Sequence, residues 1–220
     1  GKASNVSVTQ TFTATEIKAG GDLGLNATDG TISAMGSKIA VDGNAVVSSN
    51  KVNFGTTKTN TSSTVDDKFK YWGGLAGGAE DGQTRTRENL QATSLTAKGD
   101  LLIGAKEGVN ISGSTVKGNK SASVNAGNGT LNITAAKTSN SESQHKRRGT
   151  IFNITKSRLK KNQQTEVVTG STLASDTNLQ LVSDKNVNVL GSALKAAEKL
   201  GIKTAGNLNI ATVAAHSTSS

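Results

Sequence analysis

An internal repeat runs through this chain three times. The segment Gly21–Ala27 (GDLGLNA) returns as Gly99–Ala105 (GDLLIGA) and again, degraded, as Thr177–Ser183 (TNLQLVS), so Asp22, Asp100 and Asn178 stand 78 residues apart. Two further anchors keep the same order. One is Met35–Ile39, Ser112–Val116 and Leu190–Leu194, with a one-residue slip between the first two copies; the other is Val52–Phe54, Leu131–Ile133 and Leu208–Ile210. A shorter period lies inside each unit, because Ile17 and Ile39 are 22 residues apart while Leu95 and Val116, and Leu173 and Leu194, are 21 apart. Each such interval reads as one turn of a coil.

Within a turn the apolar residues alternate, as in Leu23 and Leu25, Leu101 and Ile103, Val109 and Ile111, and Val187 and Val189. That is the period-2 signature of half-buried strands. A turn this short cannot bury its apolar face alone, so neighbouring turns must stack on it. The expected fold is all-β, a right-handed parallel β-helix (solenoid) forming one unit over residues 1–220. Six turns, two per repeat, would make a rod about 29 Å long at about 4.8 Å per strand. The chain has no proline, which suits strands hydrogen-bonded on both sides. With 33% hydrophobic residues, the core must be thin and aliphatic. Ala193–Leu200 has high helix propensity, but its place in the repeat predicts strand, and propensity yields to tertiary context. Asn53, Asn132 and Asn209 recur at matched positions; they fit either side-chain ladders at the corners or asparagine's tolerance of turn geometry.

Two stretches lack the coil pattern, residues 56–90 and 137–168. They are expected to be excursions that fold as β-hairpins projecting from the rod, since insertions in repeat proteins map to one face, often the binding face. The first holds Phe69, Tyr71 and Trp72, and the second holds Phe152, so four of the chain's six aromatics lie outside the rod. They either pack the hairpins down or face a partner. Within the second excursion, the stretch from Lys137 to Lys161 concentrates Lys137, Lys146, Arg147, Arg148, Lys156, Arg158, Lys160 and Lys161 with a single acid, Glu142, in a chain of net charge +9. Phe69, Tyr71, Trp72, Lys146, Arg147, Arg148, Arg158, Lys160 and Lys161 are therefore the candidate partner-binding residues. A basic tip fits an anionic glycan; it equally fits a hairpin kept soluble and unpaired by charge.

Catalytic chemistry is not expected. The chain has no cysteine and only two histidines, His145 and His216, so neither a thiolate nor a paired-histidine metal site can be assembled. No cofactor is expected. Asp22 and Asp100 give way to Asn178 in the third copy, which predicts a corner role over ion binding, and Asp66–Asp67 reads as a solvated turn. No apolar run reaches the roughly 18 residues needed to span a bilayer as a helix. Gly1–Gln10 lacks the apolar core of a signal peptide, and Ser217–Ser220 falls where a further excursion would begin, so the chain is expected to be a piece of a longer array.

The units Gly99–Ala105, Val109–Ser114 and Leu131–Ala135, with polar insertions between them, resemble the haemagglutinin repeats of filamentous-haemagglutinin-type exoproteins. The insertion pattern is most similar to that of CdiA-type contact-dependent growth-inhibition effectors. That resemblance implies a bacterial protein exported by two-partner secretion and folded at the cell surface or beyond it. It implies a stalk or delivery module that engages a target cell's outer membrane or a surface receptor and aids toxin delivery. The alternative is an adhesin that binds anionic glycan through the basic excursion; nucleic acid is not expected as a partner.

Overall fold

The structure, a computed structural model, describes residues 2–70, 77–149 and 156–220. Every regular element in it is a strand. β1 (Lys2–Thr9) precedes the first repeat, which contributes β2 (Glu16–Ala19), β3 (Leu23–Met35), β4 (Lys38–Val41) and β5 (Ala45–Lys70), and returns through β6 (Gly78–Ala92). The second repeat holds β7 (Ser94–Ala97), β8 (Leu101–Ala105), β9 (Gly108–Ser112), β10 (Thr115–Gly118), β11 (Ala122–Asn125) and β12 (Thr130–Thr134), then β13 (Ala136–Gly149) and β14 (Lys156–Thr169). The third holds β15 (Thr172–Ser175), β16 (Asn178–Ser183), β17 (Val187–Leu190), β18 (Ala193–Ala196), β19 (Lys199–Thr204) and β20 (Leu208–Ala211), followed by β21 (Ser217–Ser219).

These strands stack as a parallel β-helix of six rungs with three faces. The first face is the parallel sheet β2-β4-β7-β10-β15-β18. The second runs through the start of β3, the start of β5, β8, β11, β16 and β19, and the third through the end of β3, Val52–Phe54 of β5, β9, β12, β17 and β20. Ala193–Leu200 follows the repeat and not its helix propensity, because β18 and β19 are held in ladder with β15 and β16.

Inward positions form columns along the rod. On the first face Ile17, Ile39, Leu95, Val116, Leu173 and Leu194 lie in successive register. On the third, Phe54, Ile111, Ile133 and Val189 stack in the same way. The central rungs are sealed: Leu95, Ile103, Ile111, Leu131 and Leu181 are wholly buried, whereas Leu208 and Ile210 of the last rung are exposed at the rod's end. Each rung thus shields the next, as expected of a chain whose turns cannot bury their own apolar face.

The corners are held by polar side chains that bond to neighbouring rungs. Gly36, Gly113 and Gly191 take positive φ values of 61°, 57° and 58°, a conformation that suits glycine, and each is followed by a serine. Ser37, Thr93, Ser114, Ser171 and Ser192 form a column of hydroxyls along this corner. Thr93 Oγ1 donates to the Gly55 carbonyl at 2.7 Å, and Ser171 Oγ donates to that of Thr134 at 2.7 Å. The amides of Ser37, Ser114 and Ser171 donate in turn to the hydroxyls of Thr93, Ser171 and Ser192. At the corner between the first two faces, the Asp22 carboxylate accepts from the Asn44 amide at 2.7 Å, and Asp100 accepts from the amide and hydroxyl of Ser121 at 3.0 and 2.7 Å. The Ser121 hydroxyl and amide hold the Asp100 carboxyl below its ordinary range. Both aspartates therefore cap the next rung.

The asparagines do form a ladder, but in strand centres and not at corners. It has five members: Asn110 donates to Asn53, Asn132 to Asn110, Asn188 to Asn132 and Asn209 to Asn188, at 2.7–3.0 Å. All lie on the outer side of the third face, in the strand positions between the inward columns.

Candidate functional site

Both excursions fold as antiparallel hairpins. The first pairs β5 with β6 from Thr56↔Ala92 out to Lys70↔Gly78, and the second pairs β13 with β14 from Ala136↔Thr169 out to Gly149↔Lys156. At about 3.4 Å per residue the first arm reaches about 50 Å from its root. The two hairpins do not project separately. β6 pairs antiparallel with β13 over ten positions, Asn140↔Arg87 to Gly149↔Gly78. β1 adds outside β5, and β21 adds outside β14 near its root. The result is one continuous antiparallel sheet, β1-β5-β6-β13-β14-β21, hydrogen-bonded alongside the rod.

A match of heights explains this continuity. Each repeat contains two rungs, and each hairpin is two strands wide. At about 4.8 Å per strand in both directions, successive hairpins leave the rod about 9.6 Å apart and exactly fill that distance with hydrogen-bonded strands. The sheet is polar on both sides, a setting in which register is weakly specified by hydrophobic pattern. Charge and amide contacts supply the register instead. Glu80 lies 3.0 Å from the Lys68 ammonium and 3.7 Å from the Arg147 guanidinium, and Asp81 lies 3.2 Å from Lys146. Glu142 accepts from Gln83 and Gln144 and pairs with Arg85 at 3.3 Å. The Lys68 hydrogen bond is the main cause that holds the Glu80 carboxyl below its ordinary range, and the Gln83 bond does the same for Glu142. His145 is seated over Gly82, where a Cβ would meet the imidazole and the Asp66 carboxylate.

The candidate residues separate into three groups. Lys146 and Arg147 are exposed, but each is engaged by a carboxylate of the first hairpin, so the basic stretch is not the unopposed surface that its own segment predicts. Arg148, Arg158, Lys160 and Lys161 are exposed, with no carboxylate at ion-pair distance among the described residues. Phe69 is 55% exposed and directly opposite Ala79, so it faces outward and does not pack the hairpin down. Tyr71 and Trp72, with Phe152, lie outside the described residues. Asp66 and Asp67 form no turn; they are strand residues opposite Gly82 and Asp81. Glu80 and Asp81 were the members that sequence reasoning missed.

A polar groove beside the asparagine ladder is lined by Lys51, Asn53, Glu107, Asn110, Asn132 and Lys185. No group of three or more His, Asp or Glu among the described residues could hold a metal ion.

Comparison with known proteins places this architecture in context. The sequence pattern of the family described as "Hemagglutinin repeat" matches residues 1–146 and again 74–220, overlapping ranges that together cover the chain. A hemolysin of Proteus mirabilis is 42% identical over 211 residues, and a hemolysin of Serratia marcescens is 34% identical over 212. Both alignments cover 96% of this chain and 13% of the relative, so the chain spans a small part of the length of either protein. No solved structure matches it.

Proposed function

This chain belongs to the hemagglutinin repeat family, and from that premise we propose that it is a non-catalytic shaft segment of an exoprotein exported by two-partner secretion, acting outside the bacterial cell. The β-helix supplies a rigid rod. The hairpin sheet is the surface offered to a target cell's outer membrane or receptor, and in this role it aids delivery of a toxic activity carried elsewhere in the parent protein. The observation that carries the reading is the sheet itself: two excursions of about 50 Å reach are fused side by side and hold exposed cations and Phe69 toward their ends. The name hemolysin carried by two relatives supports action against a target cell.

Removing residues 57–91 and 137–168 tests it. Thr56 and Ala92 are register partners, as are Ala136 and Thr169, so short links can close both roots. The truncated rod should keep its β circular-dichroism signal while binding to target cells falls to background. Undiminished binding by the folded, truncated rod refutes the proposal. An adhesin reading, with anionic glycan held by the basic hairpin, has less support, because two of its central cations, Lys146 and Arg147, are already matched by carboxylates.

A further inference from the structure

One junction departs from the repeat at four places that share a surface. β6 carries Arg85 and Arg87, whereas the positions 78 residues before and after hold Ser7 and Thr9, and Gln163 and Thr165. β13 carries Asn140 and Glu142 opposite them, where the equivalent residues of the first hairpin are Thr61 and Ser63. Hairpin strands of this type therefore form without arginine at these positions, and the fold alone does not call for the pair.

Directly opposed residues of an antiparallel pair project to the same side of the sheet. Arg85 lies opposite Glu142 and Arg87 opposite Asn140, and Gln163 and Thr165 of β14 continue the two rows. These six residues line a cleft of about 210 Å³. It sits where the β6–β13 ladder ends, because the next amide beyond Asn140, that of Ser139, donates to the Glu88 carboxylate at 2.6 Å instead. The two arginines stand two residues apart on one face, about 6.8 Å along the strand. Glu142 accepts from Gln83 and Gln144 and meets Arg85 through Nε at 3.3 Å, while Arg87 has no carboxylate at ion-pair distance among the described residues. The cleft thus keeps a net positive charge. An independent sign comes from the Asn140 amide: its Oδ1 is buried without a hydrogen-bond partner among the described residues, a costly state for a polar atom. An amide that gains nothing from its present position is free to turn its donor toward an incoming acceptor.

We propose that this cleft binds a phosphate monoester group, held between the Arg85 and Arg87 guanidiniums with the Asn140 amide and the Thr165 hydroxyl as further donors. Guanidinium forks match the oxygens of a phosphate and form charge-assisted hydrogen bonds to them. A sugar phosphate and a lipid headgroup both present this group, and the experiment separates the two. The inference is independent of the target-cell reading, since the substitutions below leave both hairpins in place.

The test titrates the 220-residue protein with inorganic phosphate at low salt and follows its backbone amides by NMR. Shifts at Arg85–Arg87 and Asn140–Glu142 should saturate with a Kd on the order of 1 mM and fade in high salt. Arg85→Gln with Arg87→Thr installs the residues that the next copy already carries at these positions, so the fold is kept, and binding should weaken about tenfold or more. Asn140→Asp should act in the same direction by setting a carboxylate against the anion. Lys195→Ser with Lys203→Ser removes equal charge from exposed positions on the rod and should leave the Kd within about twofold. Glucose 1-phosphate binding at the same amides more tightly than inorganic phosphate supports the site and identifies a sugar as the carrier. Co-sedimentation with phosphatidylcholine vesicles containing phosphatidic acid, lost in the arginine double variant, supports it and identifies a lipid. No saturable shift at the cleft overturns the proposal, as does unchanged affinity in the arginine double variant. Equal weakening by the lysine double variant would also overturn it, by showing a general attraction of anions to a basic protein.

Discussion

Adding one rung to the rod between its two hairpins should pull the sheet apart at a single junction. A second copy of Gly113–Thr134, inserted after Thr134, carries its own glycine-serine corner and three strands, so it can stack as an extra rung. The root of the second hairpin would then move along the rod by about 4.8 Å. Ser141 and Thr86 lie directly opposite one another near the roots of β13 and β6. Directly opposed antiparallel residues have Cα atoms about 4.5–5.5 Å apart, and one inserted strand width takes them to about 10 Å. That exceeds the limit of about 7 Å for a disulfide. The chain has no cysteine, so Thr86→Cys with Ser141→Cys gives a clean readout: rapid cross-linking under mild oxidation in the parent, and none in the lengthened rod. Thr64→Cys with Thr84→Cys, a pair inside the first hairpin, should close in both. If the Thr86/Ser141 link forms equally fast in the lengthened rod, rung count does not set the continuity of the sheet and the height argument fails.

Two further outcomes are expected. Ser171→Ala leaves the buried Ser114 amide without the hydroxyl it donates to at 3.2 Å, and an orphaned buried donor costs about 1–3 kcal/mol; a urea melt should show a loss of about 2 kcal/mol, and a loss below about 0.5 would contradict the assigned role of this corner. In acid, Glu80 should give up its contribution to the hairpin junction, because a carboxyl whose folded pKa is depressed stabilises fully above its unfolded value and loses that effect as pH falls through the folded one. Thermal midpoints should thus be flat at neutral pH and fall below about pH 4.5, less steeply in Glu80→Gln; an identical acid slope in the variant would remove Glu80 from the account.

The rungs were legible because burial imposes a period on residues that neighbour one another in sequence space. Leu95 and Val116 repeat since both must point inward on adjacent rungs. The same alignment hid part of the asparagine ladder. Aligning the three copies, with one-residue slips, finds Asn53, Asn132 and Asn209, but the stacked neighbours that complete the ladder, Asn110 and Asn188, belong to the other rung of their units. A search at both the rung and the repeat spacing would have found all five. The fate of the basic run was less accessible. Lys146 meets Asp81 from a different excursion, and no local pattern in either segment announces the other. Asp66–Asp67 misled for a related reason: charged pairs usually mark turns, yet in a sheet wet on both sides they are compatible with strand.

The physical role of those charges follows from how the sheet is attached. A strand that is polar on both sides can slip along its neighbour at little hydrophobic cost, and β6 and β13 meet over ten positions with no buried face between them. At the roots the rod prevents slippage, since Thr93 and Ser171 are anchored in the hydroxyl column immediately after each hairpin returns. Toward the tip that restraint weakens with every residue, and there the oppositely charged pairs Glu80–Arg147 and Asp81–Lys146 are placed. A slip by one residue would set Lys146 against Glu80 and leave Arg147 facing Ala79, on opposite sides of the sheet from their present partners. Acid in one hairpin and base in the next therefore make neighbouring hairpins complementary, and identical hairpins would lose both the attraction and the register that it fixes.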